Sequence, residues 1–185
     1  MTAQLVVKNF QEKMLGAADA TEAAVLDLWD KFLRGEIDAN ELRWRISVVI
    51  ARANAAVVGV ADTALTAQIE AETGSPATVS GVPPADDTAR LLRAVETIQA
   101  ATPGVDIAMQ LSRLARAEPI ASAQHATVEA MQSHRIVEGW TRQMDGDPCQ
   151  LCRWWWREGR VWPKDHPFQR HPGCNCQPRI VLNYS

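Results

Sequence analysis

The residues best able to do chemistry are Cys149, Cys152, His171, Cys174 and Cys176, all within 28 positions of one another. Cys149 and Cys152 form a CxxC unit, and His171 and Cys174 repeat the same spacing after 18 intervening residues. Two intervening residues let a chain turn tightly enough for both donors to reach one ion, at about 2.3 Å for a zinc–thiolate bond. Closure by four protein ligands is what a structural zinc site requires, in contrast to a catalytic one with an open position. Three cysteines and His171 satisfy that count, and so does an all-cysteine set in which Cys176 replaces His171. The expectation is one structural zinc ion per chain, with ligands drawn from these five residues.

The alternative chemistry of four cysteines is a disulfide framework, which in a secreted protein spreads its staples through the fold. Here every cysteine falls between Cys149 and Cys176. A metal also explains how a stretch of 50 residues with nine prolines or glycines, from Ile136 onward, can hold a fixed shape. Zinc contributes on the order of 10 kcal/mol or more to the folding of such units.

Five of the seven tryptophans lie between positions 140 and 162. Trp154, Trp155 and Trp156 are consecutive, and three indoles in a row on a short helix cannot all face one core. At least one is expected to meet the helical region or a partner, so the three either form an interaction surface or wrap a small module poor in other apolar residues. Arg153, Arg157 and Arg160 surround them. Gly139 to Met144 is compatible with a strand, and Asp145-Gly146-Asp147-Pro148 is a strong turn signal.

Ahead of this stretch the sequence reads as helices. Thr21 to Leu33 places Val25, Leu26, Trp29, Phe32 and Leu33 at three- and four-residue steps, with Asp19 and Glu22 spaced like a capping box and Gly35 placed to end the turn. Asp38 and Glu41 repeat the capping spacing, and Leu42, Ile46, Val49, Ala53, Val57, Val60 and Ala64 continue one stripe towards Thr73. That alanine-rich stripe permits close approach of a neighbour and therefore self-association through the long helix. Gly74 to Pro84 holds three prolines, so an exposed connection is expected there. Asp86, Asp87 and Thr88 open a further helix carrying Leu91, Leu92, Val95 and Ile98, which Pro103-Gly104 stops. Ile107, Leu111 and Leu114 begin another, and Pro119 either kinks it or starts a separate one towards His134. The fold class is mainly α: an extended region of four to five helices over residues 1–135, with a loop at 74–85, followed by a small zinc-stabilised β/α module over 136–185.

A chain of 185 residues with 46% hydrophobic content can bury one ordinary core with a small appendage. No positively charged start followed by an apolar stretch is present, and no apolar run reaches the roughly 18 to 20 residues that cross a bilayer, so a soluble protein made in a cytosol is expected. Residues 1–132 carry 11 basic and 17 acidic side chains, whereas 133–185 carry 8 and 5. That mild basic excess leaves room for DNA contact without pointing to it.

Gly139-Trp140-Thr141-Arg142, Asp147-Pro148-Cys149-Gln150-Leu151-Cys152, Glu158-Gly159-Arg160-Val161, and His171-Pro172-Gly173-Cys174-Asn175-Cys176 with Pro178 form a combined pattern. It resembles the C-terminal part of MuF-like minor capsid proteins, the head morphogenesis proteins of tailed bacteriophages, over about a quarter of the chain. Such proteins carry a CxxC pair, a short glycine-containing hairpin and a closing His-x-x-Cys-x-Cys. The resemblance implies a low-copy virion component, assembled in the host cytoplasm, that associates with the portal protein or the major capsid protein at the portal vertex and inside the head. Members usually have a basic residue where Asn175 stands, which weakens any role for this position in DNA contact.

Some relatives are labelled capsid maturation proteases. His125 and His134 lie near Ser122 and Ser133, but neither pair has a nucleophile signature such as GxSxG, so no catalytic residue is assigned. Asp165-His166 imitates the start of an HNH nuclease loop, yet no histidine follows His171 to complete it. A deaminase zinc needs a glutamate beside its histidine ligand, and Pro172 follows His171 instead. A free-standing zinc-containing DNA-binding protein is disfavoured by the acidic helical region and the lack of a basic stripe. The expected function is structural, not enzymatic.

Overall fold

The computed structural model describes residues 1–102 and 104–183. Its elements in chain order are α1 (Ala3–Leu33), α2 (Ala39–Thr73), α3 (Thr88–Gln99), α4 (Ile107–Ser133), β1 (Val137–Gln143), α5 (Gln150–Trp156), β2 (Trp162–Pro163) and β3 (Gln177–Leu182). A single 3-10 turn, Arg157–Gly159, follows α5. The protein is mainly helical, with four helices ahead of the cysteines and a small sheet beyond them.

Local signals account for most helix ends. The Asp38 carboxylate accepts from the backbone N–H groups of Asn40 and Glu41 at 2.8 Å and starts α2, and Gly74 at φ +68° closes it. Asp106 caps α4 by accepting from the Met109 N–H at 2.9 Å. Beyond Leu33, Gly35 takes φ +71° and turns the chain between α1 and α2. Pro119 neither breaks α4 nor starts a new helix; it sits buried inside it. Pro103, expected to stop α3, lies outside the described residues.

The start of α1 differs from the expectation. The helix begins at Ala3, with Thr2 as its cap, and runs through Asp19 and Glu22 without interruption. Those two carboxylates do not cap anything; they hold Arg116 of α4 at 2.5 and 2.6 Å, and Glu22 also accepts from the Ser112 hydroxyl. Guanidinium and hydroxyl donors on a packed neighbour outcompete a mid-helix backbone whose amides already have partners. The hydroxyl of Ser112, followed by the Arg116 guanidinium, holds the Glu22 carboxyl below the usual carboxylate range.

α1, α2 and α4 pack against one another, and α3 rests on α2. Their core is built in three tiers. Val25, Leu28, Leu42, Ile46, Leu91 and Leu111 fill the tier next to the α1–α2 turn. Phe10, Met14, Val57, Ala61, Ile120 and Ala123 fill the middle. In the far tier Leu65, Ile69, Ala130 and Met131 of the helices meet Val137, Trp140, Cys152, Phe168, Cys174, Cys176, Ile180 and Leu182. Residues 136–183 therefore close the open end of the helical bundle and share a continuous core with it.

One sequence expectation needs amending. α2 contains an 18-residue window of mean hydropathy 1.5, long and apolar enough to cross a membrane by composition alone, with 44% of that window buried inside the protein. This is the helix that α1, α3 and α4 all contact.

The connection from Gly74 to Asp87 is fastened to the bundle. Asp62, buried on α2, accepts from the backbone N–H groups of Ser80, Gly81 and Val82 at 2.9, 2.8 and 3.4 Å. An acid in an apolar helix stripe is thus satisfied by loop amides, as burial requires.

The sheet is antiparallel in the order β2-β1-β3, with Trp140 opposite Trp162 on one side and Ile180 on the other. Gly139 sits where β2 crosses closest: a Cβ there would lie 2.2 Å from the Trp162 carbonyl oxygen. The substitution Gly139→Ala must push β2 away, and we expect a loss of about 1–3 kcal/mol, as for overpacked cores. Thermal melting followed by tryptophan fluorescence should show it, with helix content unchanged.

Candidate metal centre

Each half of the cysteine–histidine motif is shaped by local turn chemistry. Cys149 occupies the cap position of α5, so Cys152 follows on the first turn and the two Sγ atoms stand 3.6 Å apart. In the second half, Pro172 and Gly173 form the centre of a turn closed by the Cys174 N–H donating to the His171 carbonyl at 3.1 Å. Gly173 takes φ +77°, the left-handed position that a type II turn requires and glycine alone adopts without strain. His171 Nδ1 lies 3.1 Å from the Pro172 carbonyl oxygen, a contact that makes Nδ1 the protonated nitrogen and turns the Nε2 lone pair towards the thiols.

The fold then brings the halves together. His171 Nε2 lies 3.0 Å from Cys149 Sγ and 3.4 Å from Cys152 Sγ, and Cys152 Sγ lies 3.3 Å from Cys174 Sγ. Two groups result, Cys149–Cys152–His171 and Cys152–Cys174–Cys176, each with donor atoms within 4.8 Å of one another and both sharing Cys152. All four cysteines are free thiols. Around a tetrahedral zinc, two thiolates stand about 3.8 Å apart, and a thiolate and an imidazole nitrogen about 3.6 Å. Within the Cys149–Cys152–His171 group the observed separations fall a few tenths of an ångström short of these values, so these three donors fit one metal ion with little movement, whereas Cys174 and Cys176 gather with Cys152 in a second group and one of them must move in to complete four ligands.

The thiols are unequal. The backbone amide of Cys152 lowers the ionisation of the Cys149 thiol below the ordinary cysteine value, against an opposing cost of burial, and His171 adds a smaller favourable effect. Burial pushes the Cys152 thiol up to about 12. Cys176 is also raised, chiefly by its contact with the Cys174 thiol and then by burial. Cys152 and Cys176 are therefore protonated at neutral pH when no metal competes, and a metal must displace the proton of any thiol it takes. Metal uptake at pH 7 should release protons, and apparent affinity should fall about tenfold per pH unit for each proton released. Calorimetric titration in buffers of different ionisation enthalpy checks both.

Hydrogen bonds from the helices, not apparent in the sequence, hold this cluster in place. Gln124 of α4 donates through Nε2 to the carbonyls of Cys174 and Cys176 at 2.7 and 2.8 Å. Gln11 of α1 donates to the carbonyls of Gln143 and Asn175, both at 3.2 Å. Gln68 of α2 accepts from the Ile180 N–H at 3.1 Å. One glutamine from each long helix thus meets the sheet or the last cysteine turn. Asn175 is buried and donates to the Gln11 carbonyl at 2.9 Å, so the residue between the last two cysteines faces α1.

The tryptophans divide. Trp154 is 59% exposed. Trp155 packs inside the module, 6.0 Å from the His171 ring and 5.4 Å from the Arg142 guanidinium. Trp156 flanks Gly159. The contacts of α5 run to β1 and the turn after it, and Trp154 is the exposed one of the three.

The serine–histidine pairs expected from sequence neighbours rearrange. His134 Nε2 lies 2.9 Å from the Ser80 hydroxyl, and the Ser133 hydroxyl donates to Ser80 Oγ at 2.9 Å. The N–H groups of residues 80–82 beside it are taken by Asp62. His166 lies flat on Trp162, with centroids 4.1 Å apart, and the Trp140 indole N–H donates to its carbonyl at 3.2 Å. Protein-family models, curated proteins and solved structures were compared with the chain, and none matches it.

Proposed function

We propose that this chain is a structural assembly protein of a tailed-phage virion, a minor capsid component of the MuF-like kind. One zinc ion would be held by Cys149, Cys152, His171 and Cys174, with Cys176 as an inner thiol behind them. The metal's contribution is a cross-link between α5 and the turn before β3, and no catalytic residue is assigned. The module would meet the portal protein or the major capsid protein through Trp154 and its neighbours, inside the head or at the portal vertex.

The observation that supports this reading best is the meeting of the two half-motifs at Cys152. The sequence pattern that carries the resemblance is reassembled as one cluster at the end of a helical body. A fully liganded metal with buried neighbours suits a part that holds shape during assembly. The buried Asn175 and the acidic helical region count against DNA as the main partner. The protease alternative would rest on Ser80 and His134, beside which Asp62 takes the N–H groups of residues 80–82.

The test is incorporation. The tagged chain should be recovered at low copy from purified heads, and a Cys149→Ala/Cys152→Ala double variant should be absent from them. Normal incorporation of that zinc-free variant would refute the role given to the metal, and absence of the wild-type chain from heads would refute the function.

A further inference from the structure

Arg142 is the most anomalous buried group in the protein. It is 2% exposed, and its Nε and Nη1 groups have no hydrogen-bond partner. Nη2 donates to the Gln169 carbonyl, and no ion pair to Arg142 is present among the described residues. A guanidinium stays charged in any protein environment, and an unpaired buried charge costs several kcal/mol. A fold that retains one needs negative charge close by.

Position supplies the candidate for that charge. Arg142 lies on β1 two residues after Trp140, so both side chains share one face of the strand. That face meets Phe168, with the Arg142 guanidinium 4.1 Å from its ring and the Trp140 ring 5.0 Å away. Phe168, Trp140, Cys152, Cys174 and Cys176 belong to the same buried cluster. On its other side the guanidinium stacks at 5.4 Å on Trp155, whose far neighbour is His171 at 6.0 Å. Phe168, Arg142, Trp155 and His171 thus form a chain of neighbours ending on a residue of the metal-binding set. Three thiolates and one neutral histidine around a divalent ion leave a net charge of −1, and four thiolates leave −2.

We propose that Arg142 is the counter-charge of the metal–thiolate centre and, through Trp155, a positioning residue for His171. The inference rests on the metal reading above. In the loaded protein the guanidinium offsets the excess negative charge of the cluster across a water-poor core.

Replacement by a charged and by a neutral side chain separates charge from packing. The full chain is prepared as wild type, R142K and R142M, and the zinc dissociation constant is measured by competition with a chelator. R142M is expected to bind zinc 10- to 100-fold more weakly, the range typical of outer-shell partners of metal ligands, and R142K less than threefold more weakly. A side chain that merely packs would instead weaken binding alike in R142K and R142M, since neither keeps the shape of arginine. If R142M does not fold, R142Q carries the same comparison. Equal zinc affinity in wild type and the neutral variant, or equal loss in R142K and R142M, would overturn the proposal while leaving the metal site intact. A wild-type chain that takes up no zinc would overturn the metal reading itself and this proposal with it.

Discussion

Cys152→Ala should abolish metal binding and melt residues 136–183 while leaving α1, α2 and α4 folded. Cys152 is the member common to both donor groups, and without it the remaining donors fall into two separate pairs, Cys149 with His171 and Cys174 with Cys176. Neither pair closes a tetrahedron. The side chain is also 2% exposed and part of the tier that joins the module to the helices, so the alanine leaves a small cavity as well. The metal term dominates: loss of a structural zinc removes on the order of 10 kcal/mol of linked folding energy, against about 1–2 kcal/mol for the cavity. Near-ultraviolet circular dichroism, which reports Trp140, Trp155 and Trp162 in their fixed surroundings, should collapse, and the far-ultraviolet helical signal should persist. Cys176→Ala makes the contrast: with Cys149, Cys152, His171 and Cys174 intact, that variant should keep its metal. Loss of metal in Cys176→Ala and retention in His171→Ala would transfer the fourth position to Cys176.

The second large effect is expected away from the ligands. Gln124→Leu keeps the volume of the side chain but removes the amide that donates to both the Cys174 and Cys176 carbonyls. Cys174 and Cys176 are 3% and 0% exposed, so water does not readily replace the lost donor. Leaving two buried acceptors unpaired costs about 1–3 kcal/mol each. The total, about 2–6 kcal/mol, is a large share of the stability of a single domain. Hydrogen exchange should accelerate through β3 and the last cysteine turn, with the first tier around Leu42 and Leu91 protected as before. Exchange unchanged in β3 would mean that Gln124 is not what fastens the turn to α4.

The legible parts of the fold were those written in local chemistry. Asp38, Gly35 and Gly74 act at helix ends as their types and spacing indicate, because a cap is decided within four residues. The CxxC and His-Pro-Gly-Cys halves were legible for the same reason: each is a turn whose donors are fixed by their own backbone. Their meeting was expected from the equal spacing of the two halves, whereas the sharing of Cys152 between two donor groups depends on where β1 and β3 pair.

What the sequence concealed depends on long-range contact. The first half of α1 does carry an apolar stripe, in Val6, Phe10, Met14 and Ala18, but the capping spacing of Asp19 and Glu22 drew the boundary to the wrong place. Only the position of Arg116, 94 residues beyond Glu22 in the chain, reveals what those carboxylates do. Gln11, Gln68 and Gln124 carry no signal in the sequence, and they become anchors because the sheet lies across the end of the bundle. Arg142 reads as the polar half of a strand, yet both faces of β1 are covered.

The central claim is that one zinc ion organises the C-terminal module. Native mass spectrometry of the purified chain, before and after strong chelation, tests it most directly, with the near-ultraviolet dichroism of each sample recorded alongside. One zinc per chain, lost on chelation together with the tryptophan signal, is the predicted result. A metal-free chain with an ordered tail, or disulfides among the four cysteines, would contradict it.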